Sequence, residues 1–331
     1  MSKYHIYAIG NALVDKEFEV TEQFLEQAKI DKGVMTLVEE EYQEQVLTEL
    51  KSTFGLKKRA SGGSAANTII AASYFGSNCF YSCKVGNDEA GEFYLNDLNQ
   101  AGVESNQSNH GEQGTTGRCV VMVTPDAERT MHSFLGISQT ISEQELDIEA
   151  IKNSEYLYLE GYLVTSDSAR QAAVSAKKIA EQAGIKTAIT FSDPGMVEFF
   201  RDGLAEMVSD GVDLLFCNEE EAKTWSGKES HDDIATELKK IAKTFAVTLG
   251  AEGSLVFDGE HLHTIPGVPA KAIDTNGAGD MYAGAFIYAL TNGQNYLQAA
   301  DLATRSSAQV VSHFGPRLPE EAHKKLLNKS E

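Results

Sequence analysis

The densest run of chemically useful residues in the sequence is Asp274-Thr275-Asn276-Gly277-Ala278-Gly279-Asp280, followed by the small and apolar Met281-Tyr282-Ala283-Gly284-Ala285-Phe286. Gly277, Ala278 and Gly279 let a backbone come close to an anion, and the run after them predicts a helix whose first turn offers free N–H groups. Such a turn stabilises a phosphate. Asp280 falls in that first turn, where the helix dipole favours a carboxylate and where it can accept the proton of a hydroxyl facing the same space. Read alone, Asn276 and Asp280 serve equally well as helix caps.

A second turn of small residues, Gly62-Gly63-Ser64-Ala65-Ala66-Asn67-Thr68, lies more than 200 residues earlier, with Gly86-Asn87-Asp88 and Gly91 downstream of it. The later stretch closely resembles the C-terminal motif of the ribokinase/PfkB family of small-molecule kinases, usually DTxGAGD, and the earlier one resembles the family's N-terminal motif. Between them, Asn218-Glu219-Glu220-Glu221-Ala222 is similar to the family's NxxE element and Thr248-Leu249-Gly250-Ala251-Glu252-Gly253 to its nucleotide-side TxGxxG turn. The resemblance covers essentially the whole chain. It implies Asp280 as catalytic base and the backbone of Gly277, Ala278 and Gly279 as an anion hole. It implies Asn218 and Glu221 as organisers of Mg²⁺ through water, and Asn218, Thr248, Gly250, Gly253 and Gly279 as neighbours of ATP. ATP and Mg²⁺ are thus the implied cofactors, with a monovalent cation such as K⁺ left open. Without the resemblance, Asn218 to Ala222 reads as a helix N-cap with a solvated acidic turn, and Thr248 to Gly253 as a hairpin turn.

For the acceptor, Gly10-Asn11-Ala12-Leu13-Val14-Asp15 ends the first predicted strand, and strand C-termini open into the ligand crevice of α/β proteins. The Asp15 carboxylate has enough lone pairs to hold a ribose 2′,3′-diol, while Asn11 and Asn67 supply both donors and acceptors. The alternative for Asp15 is a plain turn residue. The resemblance adds Gly63 to the acceptor side. It also aligns Arg129 with an arginine of adenosine-kinase-like members that approaches the transferred phosphate; a surface strand arginine is the other reading. Glu160-Gly161-Tyr162-Leu163-Val164-Thr165-Ser166 resembles a GFFLT-like segment of the same branch, and this, with the form of residues 10–15, favours a nucleoside acceptor. Gly-Gly-Ser-Ala-Ala-Asn lacks the Thr-Gln of eukaryotic adenosine kinases and is the form of many sugar kinases, so a free sugar remains the second reading. A non-catalytic binding protein is a third, opposed by the intact Gly-Ala-Gly-Asp. An oxidoreductase fails because no GxGxxG follows the first strand.

The elements that must position these residues follow from the hydrophobic pattern. Short apolar runs at Tyr4 to Ile9, Cys79 to Val85, Tyr156 to Leu159, Thr187 to Thr190, Leu214 to Cys217 and Ala246 to Leu249 read as strands buried on both faces. Helical patterns at Ala65 to Phe75, Ala90 to Gln100, Ser166 to Ala183, Glu219 to Trp225, Ala278 to Leu290 and Leu297 to Ser312 alternate with them. That rhythm predicts a doubly wound α/β core with a mostly parallel sheet. Two stretches, about 12–40 and 115–136, depart from it, and patterns such as Thr116 to Val123 suggest antiparallel strands of a small β-rich lid on a single domain spanning 1–331.

The charge pattern limits the partners. With 28 basic and 49 acidic residues the chain carries a formal charge of −21, which repels nucleic acid and anionic lipid. ATP is repelled as well, so its site needs backbone donors and Mg²⁺. Cys79, Cys83, Cys119 and Cys217 lack zinc-site spacing and read as buried thiols of a reducing compartment. The start of the chain has no apolar segment of the kind that directs secretion, so a cytoplasmic location is expected, with small-molecule partners and a monomer or homodimer.

Overall fold

Side-chain alternation along the strands sorts the core into two layers. Ile6 and Ala8 of β1 (Tyr4–Ile9) belong to one buried cluster, Tyr7 and Ile9 to another, so the strand is covered on both faces. The computed structural model describes residues 3–106 and 113–328; the ends of the expected 1–331 span and residues 107–112 lie outside the described residues.

The strands after β1 in the larger sheet are β5 (Cys79–Ser82), β6 (Val103–Ser105), β9 (Ser154–Glu160), β10 (Lys186–Thr190), β11 (Val212–Asn218), β12 (Ala242–Thr248), β13 (Gly253–Phe257) and β14 (Leu262–Pro266). Their order is β14-β13-β12-β11-β10-β9-β1-β5-β6, parallel from β12 to β6 and antiparallel over β12-β13-β14. Helices α3 (Ser64–Phe75), α4 (Glu89–Gln100), α11 (Ala278–Thr291), α12 (Tyr296–Val310) and α13 (Glu320–Leu327) pack on one face. On the other lie α5 (Ile148–Lys152), α6 (Asp167–Gln182), α7 (Pro194–Phe199), α8 (Arg201–Val208), α9 (Glu219–Ser226) and α10 (His231–Leu238). The doubly wound α/β architecture expected from the strand and helix rhythm is the one observed, and each of the six predicted strands and six predicted helices coincides with an element.

The lid differs from its expected composition. Its sheet has the order β3-β8-β7-β2-β4, formed by β2 (Leu13–Glu19), β3 (Met35–Leu37), β4 (Lys58–Gly62), β7 (Gly117–Val123) and β8 (Arg129–Phe134). β7-β8 is antiparallel as the alternation suggested; β2-β4 is antiparallel as well, whereas β2-β7 and β3-β8 are parallel. β4 lies outside both predicted stretches, because its Lys-Arg-Ala-Ser-Gly lacks the apolar alternation that marks a strand. Between β2 and β4 run α1 (Glu22–Ala28) and α2 (Glu40–Thr53), whose Phe24, Leu25, Val46, Leu47 and Leu50 cover the outer face of the sheet at Phe18, Val20, Val120 and Met122. Buried Gln43 of α2 ties this layer down, its Nε2 donating to the carbonyls of Arg118 and His132 at 2.9 Å each. The inner face, with Leu13, Cys119, Val121 and Met131, is left for the crevice below.

Helices α3 and α11 lie close together at Gly284, where an added Cβ would stand 2.5 Å from the Thr68 carbonyl oxygen and 3.0 Å from the Ala71 Cβ. Both obstacles sit on a buried helix and neither yields cheaply. Gly284→Ala is therefore expected to lower stability by about 1–3 kcal/mol, the usual cost of overpacking, despite the better helix propensity of alanine. Urea denaturation measures this, and an unchanged or raised midpoint would mean that the two helices separate freely.

Candidate active site

Five strand ends and two helix N-termini converge on one crevice. Asn11 follows β1, Glu160 ends β9, Asp193 follows β10, Asn218 ends β11 and Thr248 ends β12; all line a cavity of about 360 Å³ between core and lid. This is the position that the carboxyl ends of parallel strands give to a ligand. The opposite wall is the lid's inner face, with Leu13, Met35, Leu37, Cys119, Val121, Met131 and Leu135.

The Asp280 carboxylate is the point where α3 and α11 meet. Ser64 Oγ donates to its Oδ1 at 2.6 Å and Asn67 Nδ2 to its Oδ2 at 3.2 Å. It is therefore no cap of its own helix. The N-cap position of α11 falls on Gly277, in the left-handed region at φ 75°, where a Cβ would run into the carbonyl of Pro316. Asn276 makes no cap either: its N–H donates to Asp274 Oδ1 at 2.8 Å, and Gly315 N–H donates to Asp274 Oδ2 at 2.8 Å. Buried Asp274 thus staples the Gly277-Ala278-Gly279 turn to the C-terminal loop. A Cβ at Gly279 would meet nothing within 4 Å, and the residue lines the cavity, so the first-turn N–H groups of α11 remain approachable. Burial pushes the Asp280 carboxyl up to about 6, against the pull of Ser64, Asn67 and Arg129.

Glu160 holds the frame. Its Oε1 accepts from Asn11 N–H at 2.6 Å and its Oε2 from Ala65 N–H at 2.7 Å, joining the end of β1 to the start of α3. Burial lifts its carboxyl to about 7 even with both bonds. Asp15 is buried, faces the cavity and accepts no hydrogen bond from the described residues; burial, with Glu17 next, raises its carboxyl well above the usual range. Asn67 Oδ1 is likewise buried and unpartnered among them. Gly63 enters α3 at φ 96° beside the Asn11 carbonyl, where a side chain would collide.

Arg129, read from sequence as either a site or a surface residue, lines the cavity and is half-buried, its Nη1 lying 3.4 Å from Met131 Sδ. It is the one cation among the described lining residues, against Asp15, Glu128, Glu160, Asp193, Glu220, Glu221 and Asp280. Burial disfavours its charge, but Tyr162, Asp193, Asp280 and Asp274 outweigh that and raise it.

Asn218 and Glu221 form the helix cap of one sequence reading, and both also line the cavity. Glu221 N–H donates to Asn218 Oδ1 at 2.8 Å, while Asn218 N–H and Nδ2 donate to Glu221 at 3.1 and 2.7 Å, a reciprocal cap that nonetheless lines the cavity. Burial pushes the Glu221 carboxyl up to about 8. Thr248 lines the same cavity. Gly250 and Gly253 stand apart from the lining, the first in the turn between β12 and β13 and the second at the start of β13, where, at φ 107°, a Cβ would strike the Ile265 carbonyl. Sequence reasoning quoted Ser64, Glu160 and Tyr162 only within longer motifs and did not mention Ser192 or Asp193; all five line the cavity. The available signal for Glu160 and Asp193 was a carboxylate closing an apolar strand.

Comparison with known proteins agrees with this geometry. The pfkB family carbohydrate kinase model matches residues 26–323. The chain is 27% identical to adenosine kinase of Saccharomyces cerevisiae over 335 residues, 96% of this chain and 97% of the relative. It superimposes on adenosine kinase from Sinorhizobium meliloti with a TM-score of 0.91 and 31% identity, covering 99% of this chain and 100% of that one. On a probable sugar kinase from Rhizobium etli the TM-score is 0.92 at 27% identity, over 98% and 99% of the two chains. With the motifs in order along the sequence and converging on one cavity, the chain belongs to the pfkB family of carbohydrate kinases.

Proposed function

We propose that the chain transfers the γ-phosphoryl group of ATP to the 5′-hydroxymethyl group of a nucleoside such as adenosine. The observation that carries this reading is the setting of Asp280. Its carboxylate lies at the N-terminus of α11 beside the Gly277-Ala278-Gly279 backbone, and Asp15, Asn11 and Asn67 face the same cavity. Ionised Asp280 accepts the proton of the attacking hydroxyl, the first-turn N–H groups of α11 stabilise the charge on the transferred phosphoryl group, and Arg129 adds the cation the acidic cavity otherwise lacks. Asp15 and Asn67 take the ribose hydroxyls. The apolar lid wall from Leu13 to Leu135 then packs against a planar base, a surface that a free sugar leaves uncovered. The similarity to adenosine kinases over nearly the whole chain supports the same acceptor. A sugar kinase acting on ribose, fructose or a related sugar is the second reading, favoured by the fit to the Rhizobium etli structure. Coupled ADP-release assays over nucleosides and free sugars separate the two, and turnover of sugars alone overturns the first.

Mg²⁺ fits the site only with help from phosphate and water. Among the described residues no three His, Cys, Asp or Glu side chains form a cluster able to hold a metal, and both Glu221 oxygens already accept from Asn218. A small cation that keeps several waters and binds through phosphates suits such a sparse donor set, with Asn218 and Glu221 ordering its water. Bound with ATP, it would neutralise phosphate charge facing the acidic wall.

Asp280→Asn should fold normally and lose roughly two to four orders of magnitude in kcat. Because the base acts ionised and its carboxyl sits at about 6, kcat of the parent should fall as pH drops through that value; a flat profile between pH about 7 and 5 with chemistry rate-limiting would remove Asp280 from the role. Asn218→Ala and Glu221→Ala should raise the Mg²⁺ concentration needed for half-maximal rate, by about tenfold or more; a titration matching the parent returns both residues to helix capping. Last, 2′-deoxyadenosine should be poorer than adenosine by about tenfold or more in kcat/KM, since it leaves a buried carboxylate without one charge-assisted bond. Asp15→Ala should erase most of that preference, and its persistence would assign the diol to other groups.

A further inference from the structure

The inner face of the lid carries one row of side chains that runs straight across its strands. Cross-strand partners share a face of a sheet, and the register pairs Asp15 of β2 with Cys119 of β7, Cys119 with Ser133 of β8, and Ser133 with Leu37 of β3. All four line the cavity. Asp15, Cys119 and Ser133 are buried, while Leu37, on the edge strand, is 42% exposed. Asp15 and Ser133 stand two strands apart, roughly 10 Å at the usual strand spacing. That span matches a nucleoside measured from its ribose diol to the far edge of its base, and a free sugar held at Asp15 ends well short of Ser133.

Ser133 is the only hydroxyl among the described residues that the lid contributes to the cavity. Met131 and Leu135 flank it along β8, and Cys119 and Val121 stand beside it on β7, so the wall around it is apolar. The charged Arg129 lies at the start of β8, away from this row. Among the described residues the Ser133 hydroxyl has one side-chain partner, Cys119 Sγ at 3.5 Å. A thiol is a weak hydrogen-bonding group, and a hydroxyl that gives its hydrogen to sulfur keeps two lone pairs on oxygen. A buried oxygen in such a wall gains a strong bond only from a donor that a ligand brings.

We propose that Ser133 is a specificity-determining residue for the base of the acceptor: with Asp15 on the ribose hydroxyls, the row directs the base across Cys119 towards Leu37, and the Ser133 oxygen accepts from an exocyclic amino group on its edge, such as that of adenosine. This inference deepens the nucleoside reading and rests on it. Cys119 lies under the joint of sugar and base, where a small side chain lets the base settle on the wall. Leu37 then covers the end of the ring and loses the exposure it has without a ligand.

The test compares adenosine with purine riboside, the same nucleoside without its amino group, in calorimetric titrations of the full chain without ATP. The parent should bind adenosine roughly three- to tenfold more tightly, the range of one neutral hydrogen bond. Ser133→Ala should bring the two Kd values together by weakening adenosine and leaving purine riboside nearly unchanged. A second pair controls for shape and folding: Ser133→Thr keeps the hydroxyl and should keep the preference, whereas Ser133→Val, of similar outline and equally suited to a strand, should lose it. Urea midpoints check the fold of each variant. A preference that is equal in the parent, Ser133→Ala and Ser133→Val gives the amino group to another residue and overturns the proposal, as does a parent that binds both nucleosides alike. If the parent binds ribose and neither nucleoside, the nucleoside reading itself fails, a result distinct from the other two.

Discussion

The contact between α3 and α11 is the constraint from which the rest of the site follows. Gly284 lets the two helices approach until Thr68 and Ala71 touch the place a side chain would occupy, and at that separation Ser64 and Asn67 reach the two oxygens of Asp280. A carboxylate held at both oxygens cannot rotate away. Each helix N-terminus is in turn fixed from behind, α3 by Glu160 through the Ala65 N–H and α11 by Asp274 through Asn276 and Gly315. The chemistry is thus built from two helix starts that belong to opposite ends of the chain.

The acidity of the molecule shapes what that site must do. A chain of formal charge −21 with seven carboxylates around one cavity cation is a poor host for a polyphosphate. Fixed dipoles answer this without adding side-chain charge, because the N-terminus of α11 faces the cavity and Gly279 leaves the space above its first turn open. Burial then holds Asp280, Glu160 and Glu221 at about 6, 7 and 8, so that part of the acidic wall is neutral near pH 7. The same low-dielectric setting strengthens the bonds that remain.

The lid divides its two faces between stability and recognition. Its outer face is sealed by α1 and α2, with Gln43 bonded to two strands at once, and so the inner face can stay uncovered for a ligand. β2 carries both functions: Phe18 packs outward while Leu13 and Asp15 face the cavity. Direct connections, from β1 into β2 and from β4 through Gly63 into α3, make any movement of the lid also a movement of the cavity residues Asn11, Asp15 and Ser64.

Sequence alone determined the parts that depend on local pattern. Apolar runs of strand length alternating with helical periods specify a parallel sheet covered on both faces, and the Gly-Ala-Gly-Asp turn before a small apolar helix specifies an anion site with a carboxylate beside it, since both follow from spacing along the chain. What depends on partners distant in sequence was decided only by tertiary structure. Ser64 is 216 residues from Asp280, and Glu160 is 149 from Asn11; no local signal joins them. β4 is a strand only because β2 pairs with it, its own residues having no strand pattern. Asn276 and Asp280 looked like caps because cap residues and site residues share one chemistry, and only the position of α3 gives Asp280 its partners. Arg129 could be surface or site by sequence, and the fold places it in the lining of a cavity whose other charged residues are acidic.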